Sequence, residues 1–137
     1  MFVTLLYGVL DFPFWKFTYS REGHLPPIIL DGDGNLIEVK VRDGQTLGLL
    51  DDPKLNQQEV IIPPGGLILL FSDGLNESVN TKSEEFGIER VRKELVHLRH
   101  LGASQICEGL WESAFNFCGD ANIQDDFTVV VAKRDPI

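Results

Sequence analysis

The chain has 137 residues, of which 43% are hydrophobic and 24% are charged, and its formal net charge at pH 7 is -9. These values fit one globular domain with a core of its own. The acidic balance argues against nucleic acid as the main partner, because binding to phosphates requires an excess of lysine and arginine.

The apolar N-terminal stretch does not have the form of a targeting segment. No basic residues precede it, and no small-residue cleavage site follows it. No apolar run in the chain reaches the ~20 residues that a membrane-spanning helix needs. We therefore expect a cytoplasmic protein that does not bind membranes.

The first half of the chain alternates between short apolar runs and turns. Residues 2–10 are β-branched and aromatic and predict a buried strand, and the alternation from Trp15 to Tyr19 predicts its hairpin partner. Further strands are predicted at 28–30, 36–41, 57–62 and 67–72, with an irregular connection over 43–56. Strands joined mainly by hairpins indicate antiparallel sheets and not a βαβ repeat.

One turn in this half shares its opening with a calcium loop. Residues 31–35 read Asp-Gly-Asp-Gly-Asn. The sixth position of such a loop should be glycine and is Leu36, and the twelfth should be glutamate and is Arg42. Since both tests fail, the pattern predicts a hairpin turn.

The second half is mainly helical. Residues 74–84 are polar and predict a loop. Apolar residues then recur at helical spacing and predict helices at about 86–99 and 103–117, before a β-branched run that predicts a last strand at about 127–132.

The cysteines and paired histidines of this half do not indicate a site. Cys107 and Cys118 lie about 16 Å apart along the second predicted helix, too far for a disulfide, and are expected to be small buried hydrophobic residues. His97 and His100 lack the glutamate and the i, i+4 spacing of a zinc-binding helix.

A buried strand ends in an acidic residue at the middle of the chain. Five apolar residues from Leu67 to Phe71 run directly into Ser72, Asp73 and Gly74. A carboxylate placed there is held rigidly and still meets solvent or a ligand, and the glycine lets the chain turn through angles that other residues avoid. The same residues also fit an ordinary turn at a strand end, which needs no function.

A second acidic pair, Asp125 and Asp126, directly precedes the last predicted strand. If that strand lies antiparallel beside residues 67–72, Asp73 and Asp125 reach the same edge of the sheet. Carboxylates and water are the ligands that Mg²⁺ and Mn²⁺ prefer. Spacing alone leaves both a metal site and a pair of ordinary loop aspartates open.

A series of motifs adds a resemblance that covers nearly the whole chain. The motifs are residues 1–11, Gly23-His24-x-Pro26-Pro27, Leu47-Gly48-Leu49-Leu50, Phe71-Ser72-Asp73-Gly74-Leu75-x-Glu77, Glu85-Phe86-Gly87 and Asp125-Asp126-Phe127-Thr128-Val129-Val130-Val131. In order and spacing they resemble the SpoIIE/RsbU-type branch of the metal-dependent, protein phosphatase 2C-like serine/threonine phosphatases (PPM superfamily).

The resemblance implies an α+β fold with antiparallel β-sandwich sheets flanked by two helices. It also implies a pair of Mn²⁺ or Mg²⁺ ions that activate water for attack on phosphoserine or phosphothreonine. By this resemblance Asp73 and Asp125 bind metal, and no further catalytic side chain is required. The supporting residues are Gly74, Asp126, Gly23 and His24, the last as a structural turn histidine.

The departures from the family pattern limit what the resemblance implies. The family carries an upstream D-x-S-G-H-G segment with the central metal ligands, which this sequence does not contain. Residues 1–137 therefore resemble a single partial phosphatase domain, with the N-terminal part of the fold absent and half of the metal site missing. Arg21 and Glu22 stand where Asn-Ala is common, and their role is open.

Two functional hypotheses follow. The first is a phosphatase that has weak or no activity as this chain alone, with the polar segment 74–84 as a mobile flap beside Asp73. The substrate implied by the resemblance is a phosphorylated STAS-type anti-anti-sigma protein in bacterial sigma-factor regulation. The alternative is a non-catalytic interaction module, or a homodimer that covers a sheet edge of the phosphatase fold.

Overall fold

A computed structural model describes residues 3–39, 57–123 and 125–137. In chain order its strands are β1 (Leu5–Asp11), β2 (Lys16–Glu22), β3 (Ile28–Leu30), β4 (Leu36–Ile37), β5 (Gln57–Ile61), β6 (Leu67–Phe71) and β7 (Val129–Lys133). Its helices are α1 (Asp73–Asn76), α2 (Gly87–Leu98) and α3 (Ala103–Cys118). None of the helices in the described residues combines the length and hydrophobicity of a membrane-spanning segment.

The strands form two antiparallel sheets. One has the order β1-β2-β5 and the other the order β4-β3-β6-β7. One cluster of buried side chains, which includes Phe17, Tyr19 and Ile68, draws on strands of both sheets. A second cluster joins the four-stranded sheet to α2 and α3, through residues such as Leu69 and Leu95. The fold is therefore two stacked sheets with helices on the outer face of one of them, as the predicted α+β sandwich requires.

Strand β6 lies at the centre of this arrangement. It pairs with β3 on one side and with β7 on the other. Leu67, Leu69 and Phe71 pack toward the helices, and Ile68 and Leu70 pack with the three-stranded sheet. This explains why the strand is a continuous apolar run, and the prediction of a strand buried on both faces is confirmed.

The predicted burial of the first strand is wrong. The strand exists, but Leu5, Tyr7 and Val9 are 43%, 66% and 57% exposed. They alternate with residues that face the neighbouring sheet, and β1 is an edge strand of its sheet among the described residues. The sequence of β1 is apolar on both faces, so it does not show that only one face is covered.

Other boundaries shift by a few residues. Of the strand predicted at 36–41, residues 36–37 form β4, residues 38–39 are not in a strand, and residues 40–41 lie outside the described residues. The last strand begins two residues later than predicted. The strand predicted from Trp15 to Tyr19 is observed as β2, and Trp15 itself precedes it in a positive-φ conformation. Both long helices are confirmed. The predicted connection over 43–56 lies outside the described residues.

The Asp-Gly-Asp-Gly-Asn segment is a hairpin turn, as predicted. The N–H of Asp31 donates to the carbonyl of Asn35 at 2.9 Å. One carboxylate oxygen of Asp31 accepts the N–H groups of Asp33 and Asn35, each at 2.9 Å. These backbone donors, with that of Asn35 foremost, lower the pKa of Asp31. The aspartate therefore closes the turn that joins β3 to β4.

Glu22 is a buried carboxylate at the end of β2. It is 2% exposed and pairs with Leu5 of β1. Its Oε1 accepts a hydrogen bond from the Ser20 hydroxyl at 2.8 Å, and its buried Oε2 accepts none from the described part of the chain. A buried carboxylate oxygen without a donor is unfavourable, so Glu22 is expected to reduce the stability of the fold.

Replacing this carboxylate by an apolar side chain of similar size should stabilise the protein. We expect Glu22→Met to raise the free energy of unfolding by about 1–3 kcal/mol, because the buried oxygen no longer has to be desolvated. Urea denaturation followed by circular dichroism measures the change. The control is Glu59→Met, an exposed carboxylate on β5 of the same sheet, with an expected effect within about 0.5 kcal/mol. A Glu22→Met protein no more stable than the wild type would contradict the prediction.

Candidate functional site

Asp73 lies where β6 emerges from the core. Ser72 has an extended backbone, with φ -86° and ψ 158°, and Asp73 begins the short helix α1. The segment predicted as a loop over 74–84 therefore starts with one helical turn, closed by the N–H of Glu77 donating to the Asp73 carbonyl at 2.9 Å. The carboxylate consequently projects from a defined first turn at the end of a buried strand.

The segment before β7 is joined to this strand end by hydrogen bonds beyond the sheet ladder. Phe71 pairs with Val129. The N–H of Ser72 donates to the Thr128 carbonyl at 3.0 Å, and the N–H of Thr128 donates to the Ser72 hydroxyl oxygen at 2.8 Å. We call this pair of bonds the Ser72–Thr128 clamp. The predicted antiparallel pairing is thus confirmed, and it directs residues 125–128 toward Asp73.

Gly74 allows the two segments to approach closely. A Cβ at Gly74 would lie 2.4 Å from the Asp126 carbonyl oxygen and 3.0 Å from the Cβ of Phe127. The predicted reason for this glycine, a turn through unusual backbone angles, is wrong, because Gly74 lies within α1 and is not among the positive-φ glycines of the described chain. The requirement for glycine comes from this close contact and not from its conformation.

Carboxylates gather at this edge. The pKa of Glu77 is raised, first by the negative charge of Asp73, then by partial desolvation, and then by the charges of Glu85 and Asp125. The negative charges of Asp73 and Asp125 therefore both reach the Glu77 carboxyl group. Glu77 stands in a motif of the family resemblance but is not among the predicted site residues, although its position four residues after Asp73, one helical turn on, is a usable signal.

The donor set fits a hard divalent cation, although it is incomplete. Carboxylate oxygens and water are what Mg²⁺ and Mn²⁺ prefer, and a cation would relieve the mutual repulsion of these groups. Within residues 3–39, 57–123 and 125–137, however, no group of three or more His, Cys, Asp or Glu side chains is placed to hold one ion. The described residues therefore provide individual carboxylates at this edge and not a complete set of ligands for one ion.

Gly23 and His24 lie beside the same strand end. Gly23 has a φ of 72°, which favours glycine. The His24 ring nitrogen Nε2 lies 3.2 Å from the Phe71 carbonyl oxygen. The Arg21 guanidinium donates to the His24 carbonyl at 2.6 Å. His24 therefore connects the end of β2 to the backbone two residues before Asp73.

An aromatic group that is not among the predicted site residues lies next to the acidic segment. The rings of Trp111 and Phe127 are 5.4 Å apart, and those of Trp111 and Phe115 are 6.2 Å apart. Trp111 and Phe115 are 48% and 50% exposed on α3. The available signal was two aromatic residues four apart that fall outside the predicted apolar stripe of the helix.

The two cysteines show no sign of reactivity. Cys118 is buried, Cys107 is partly buried, and both lie in α3 without a disulfide. Burial raises the pKa of both thiols, so the thiolate form is disfavoured. The expectation of small hydrophobic packing residues is confirmed most clearly for Cys118.

Known sequences identify the family. A sequence model of Stage II sporulation protein E (SpoIIE) matches residues 1–135. The phosphoserine phosphatase RsbU of Bacillus subtilis (strain 168) is 27% identical over 136 residues, which cover 98% of this chain and 39% of RsbU. The chain therefore spans less than half the length of this relative.

Solved structures share the fold. The phosphatase domain of SpoIIE from Bacillus subtilis, presoaked with Mn, has 20% identity and a TM-score of 0.73, covering 96% of this chain and 56% of that one. The SiaA-PP2C domain of Pseudomonas aeruginosa has 19% identity and a TM-score of 0.76, covering 96% and 51%. With almost every residue inside the family match, the chain belongs to the SpoIIE family and has part of the fold of a PP2C-type phosphatase domain.

Proposed function

We propose that this chain is the C-terminal portion of a metal-dependent phosphatase domain that hydrolyses phosphoserine or phosphothreonine on a regulatory protein. The observation that carries this proposal is the Ser72–Thr128 clamp, which brings the segments of Asp73 and Asp125 to one edge of the sheet. The family match and the phosphatase activity named for RsbU support the reaction class.

Asp73 and Asp125 are the residues that would hold Mn²⁺ or Mg²⁺, and Asp126 would support them. Such ions, when bound, lower the pKa of a coordinated water and offset charge on the phosphoryl group during in-line attack. The Ser72–Thr128 clamp fixes the spacing of the two carboxylate-bearing segments. Gly74 permits their close approach, and His24 holds the strand end from the other side.

The proposed substrate is a phosphorylated STAS-type anti-anti-sigma protein, acted on in the cytoplasm as part of sigma-factor regulation. The similarity to RsbU and SpoIIE supports this assignment. The net charge of -9 suits a protein partner better than nucleic acid.

The proposal includes weak or absent activity of this chain alone. The chain spans 39% of RsbU, and its described residues form no three-ligand group. Mg²⁺ gives up its waters reluctantly and binds weakly to two carboxylates. Residues from the rest of a phosphatase domain would complete the site.

Metal binding tests the two assigned ligands. We expect Asp73→Asn and Asp125→Asn each to weaken Mn²⁺ binding by about tenfold or more in isothermal titration calorimetry, because each removes one anionic ligand. The control is Asp33→Asn, an exposed aspartate in the turn beyond the opposite end of the sheet, which should not change the affinity. Equal affinities for Mn²⁺ in all three variants and the wild type would contradict the assignment.

Turnover tests the incomplete site separately. With Mn²⁺ and a serine-phosphorylated STAS-domain protein, the chain should release little or no phosphate. Robust turnover that Asp73→Asn abolishes would support the phosphatase assignment and refute the incomplete site.

The close approach at Gly74 gives a second variant for the same site. Gly74→Ala should destabilise the protein by roughly 1–3 kcal/mol and weaken Mn²⁺ binding, because the new methyl group must displace the Asp126 backbone. This loss should exceed the ~1 kcal/mol by which alanine favours a helix over glycine. In the control Gly102→Ala, the methyl group would meet only Gln105 Oε1, at 3.7 Å. A Gly74→Ala protein as stable as the wild type would show that the contact relaxes freely.

An interaction module remains the second candidate function, and the exposed face of β1 favours it. Leu5, Tyr7 and Val9 form an apolar stripe on an edge strand, which invites pairing with another chain.

If a homodimer covers this stripe, sedimentation equilibrium should give a dimer mass, and Tyr7→Ser with Val9→Ser should give a monomer. Leu101→Ser, an exposed apolar residue between α2 and α3, serves as the control. A wild-type chain that stays monomeric at high concentration would count against the homodimer.

A further inference from the structure

Helix α3 presents an apolar surface outside the core. Its buried residues are Ile106, Leu110, Ala114 and Cys118. Trp111 and Phe115 come directly after the buried residues Leu110 and Ala114 in the sequence, and about half of each aromatic side chain is exposed. With Phe127 they form what we call the aromatic patch. Aromatic residues are enriched in the centres of protein interfaces, so these exposed rings form a candidate binding surface.

The aromatic patch is continuous with the candidate metal site. Trp111 contacts Phe127, whose Cβ lies 3.0 Å from the position that a Cβ of Gly74 would occupy. Asp73 precedes Gly74, and Asp125 and Asp126 precede Phe127 along the chain. A macromolecule bound at the acidic edge would therefore also extend across the patch.

The charge around the aromatic patch defines the chemistry of its occupant. Helix α3 contains no lysine or arginine, and its exposed Glu108 and Glu112 flank Trp111. Exposed Asp125 and Asp126 lie on the side of Phe127. A segment with an apolar side chain between basic residues complements this surface. A second copy of the chain, with its net charge of -9, would place like charges opposite one another.

We propose that the aromatic patch is the docking surface of the phosphoprotein substrate. An apolar side chain of the substrate, flanked by lysine or arginine, packs on Trp111 and Phe115 while the phosphoserine lies at the Asp73 and Asp125 edge. This inference rests on the proposed function. Hydrolysis at a metal site requires only a phosphate ester and so does not distinguish one phosphoprotein from another. A separate docking surface would provide that substrate specificity.

Binding of synthetic peptides tests the docking surface on the full chain with Mn²⁺. The probes are fluorescein-labelled phosphoserine peptides that carry a Lys-Leu-Leu-Lys segment at increasing distances from the phosphoserine, with a Gly-Ser version of each as the reference. We expect one spacing to bind best in fluorescence anisotropy. Trp111→Ala with Phe115→Ala should weaken that peptide by about 30-fold and leave its Gly-Ser version unchanged.

Two further variants separate docking from loss of fold or of bulk hydrophobicity. Glu112→Lys leaves the rings in place and reverses a rim charge, so it should weaken the Lys-Leu-Leu-Lys peptide by about threefold. Phe14→Ala, a 71% exposed aromatic residue in the turn between β1 and β2, should have no effect. Circular dichroism checks that each variant keeps its helices.

The outcomes distinguish the docking surface from the proposed function. If the double variant binds the best peptide as tightly as the wild type while phosphorylation still matters, the docking surface is refuted and the proposed function stands. If, at a Mn²⁺ concentration that saturates the wild type in calorimetry, each phosphoserine peptide and its unphosphorylated serine counterpart bind equally, the proposed function is refuted, and the substrate assignment of the patch with it. A dimer that the double variant converts to monomer would assign the patch to a second copy and refute the proposal.

Discussion

The Ser72–Thr128 clamp is the interaction on which the candidate site depends. Its two hydrogen bonds join residues 56 positions apart in the sequence, beyond the last ladder pair of β6 and β7. Asp73 and Asp125 lie on segments that are distant in the sequence, and these segments come together only once the two strands have paired. The strands that build the core also carry the proposed ligands, so under the proposed function metal affinity would depend on the stability of one strand pair.

Much of this arrangement could be predicted from local patterns. The run from Leu67 to Phe71 predicts a strand covered on both faces, and apolar spacing indicates the two long helices. The antiparallel pairing of β6 with β7, from which a common edge for Asp73 and Asp125 is predicted, agrees with the β-branched residues after 127, which favour a strand. These predictions succeed because each depends on one short segment and a fixed periodicity.

The remaining features depend on packing between segments that are distant in sequence. Nothing near Gly74 in the sequence shows that the Asp126 backbone lies against it, so the local pattern predicts a turn. Strand β1 is apolar on both faces, so its sequence does not reveal which face the fold covers. Two further features likewise arise only when α1, α3 and the segment before β7 come together. They are the raised pKa of Glu77, which the charges of Asp73 and Asp125 cause in part, and the contact of Trp111 with Phe127.

The apolar stripe on β1 has a consequence for handling the protein. Side chains of this kind on an edge strand favour intermolecular sheet formation, and here the main opposing force is repulsion between chains of net charge -9. That repulsion disappears near the isoelectric point of about 4.7 and is screened by salt. Colloidal stability therefore falls on acidification and at high ionic strength, so the same carboxylates that form the acidic edge also help to keep the chain in solution.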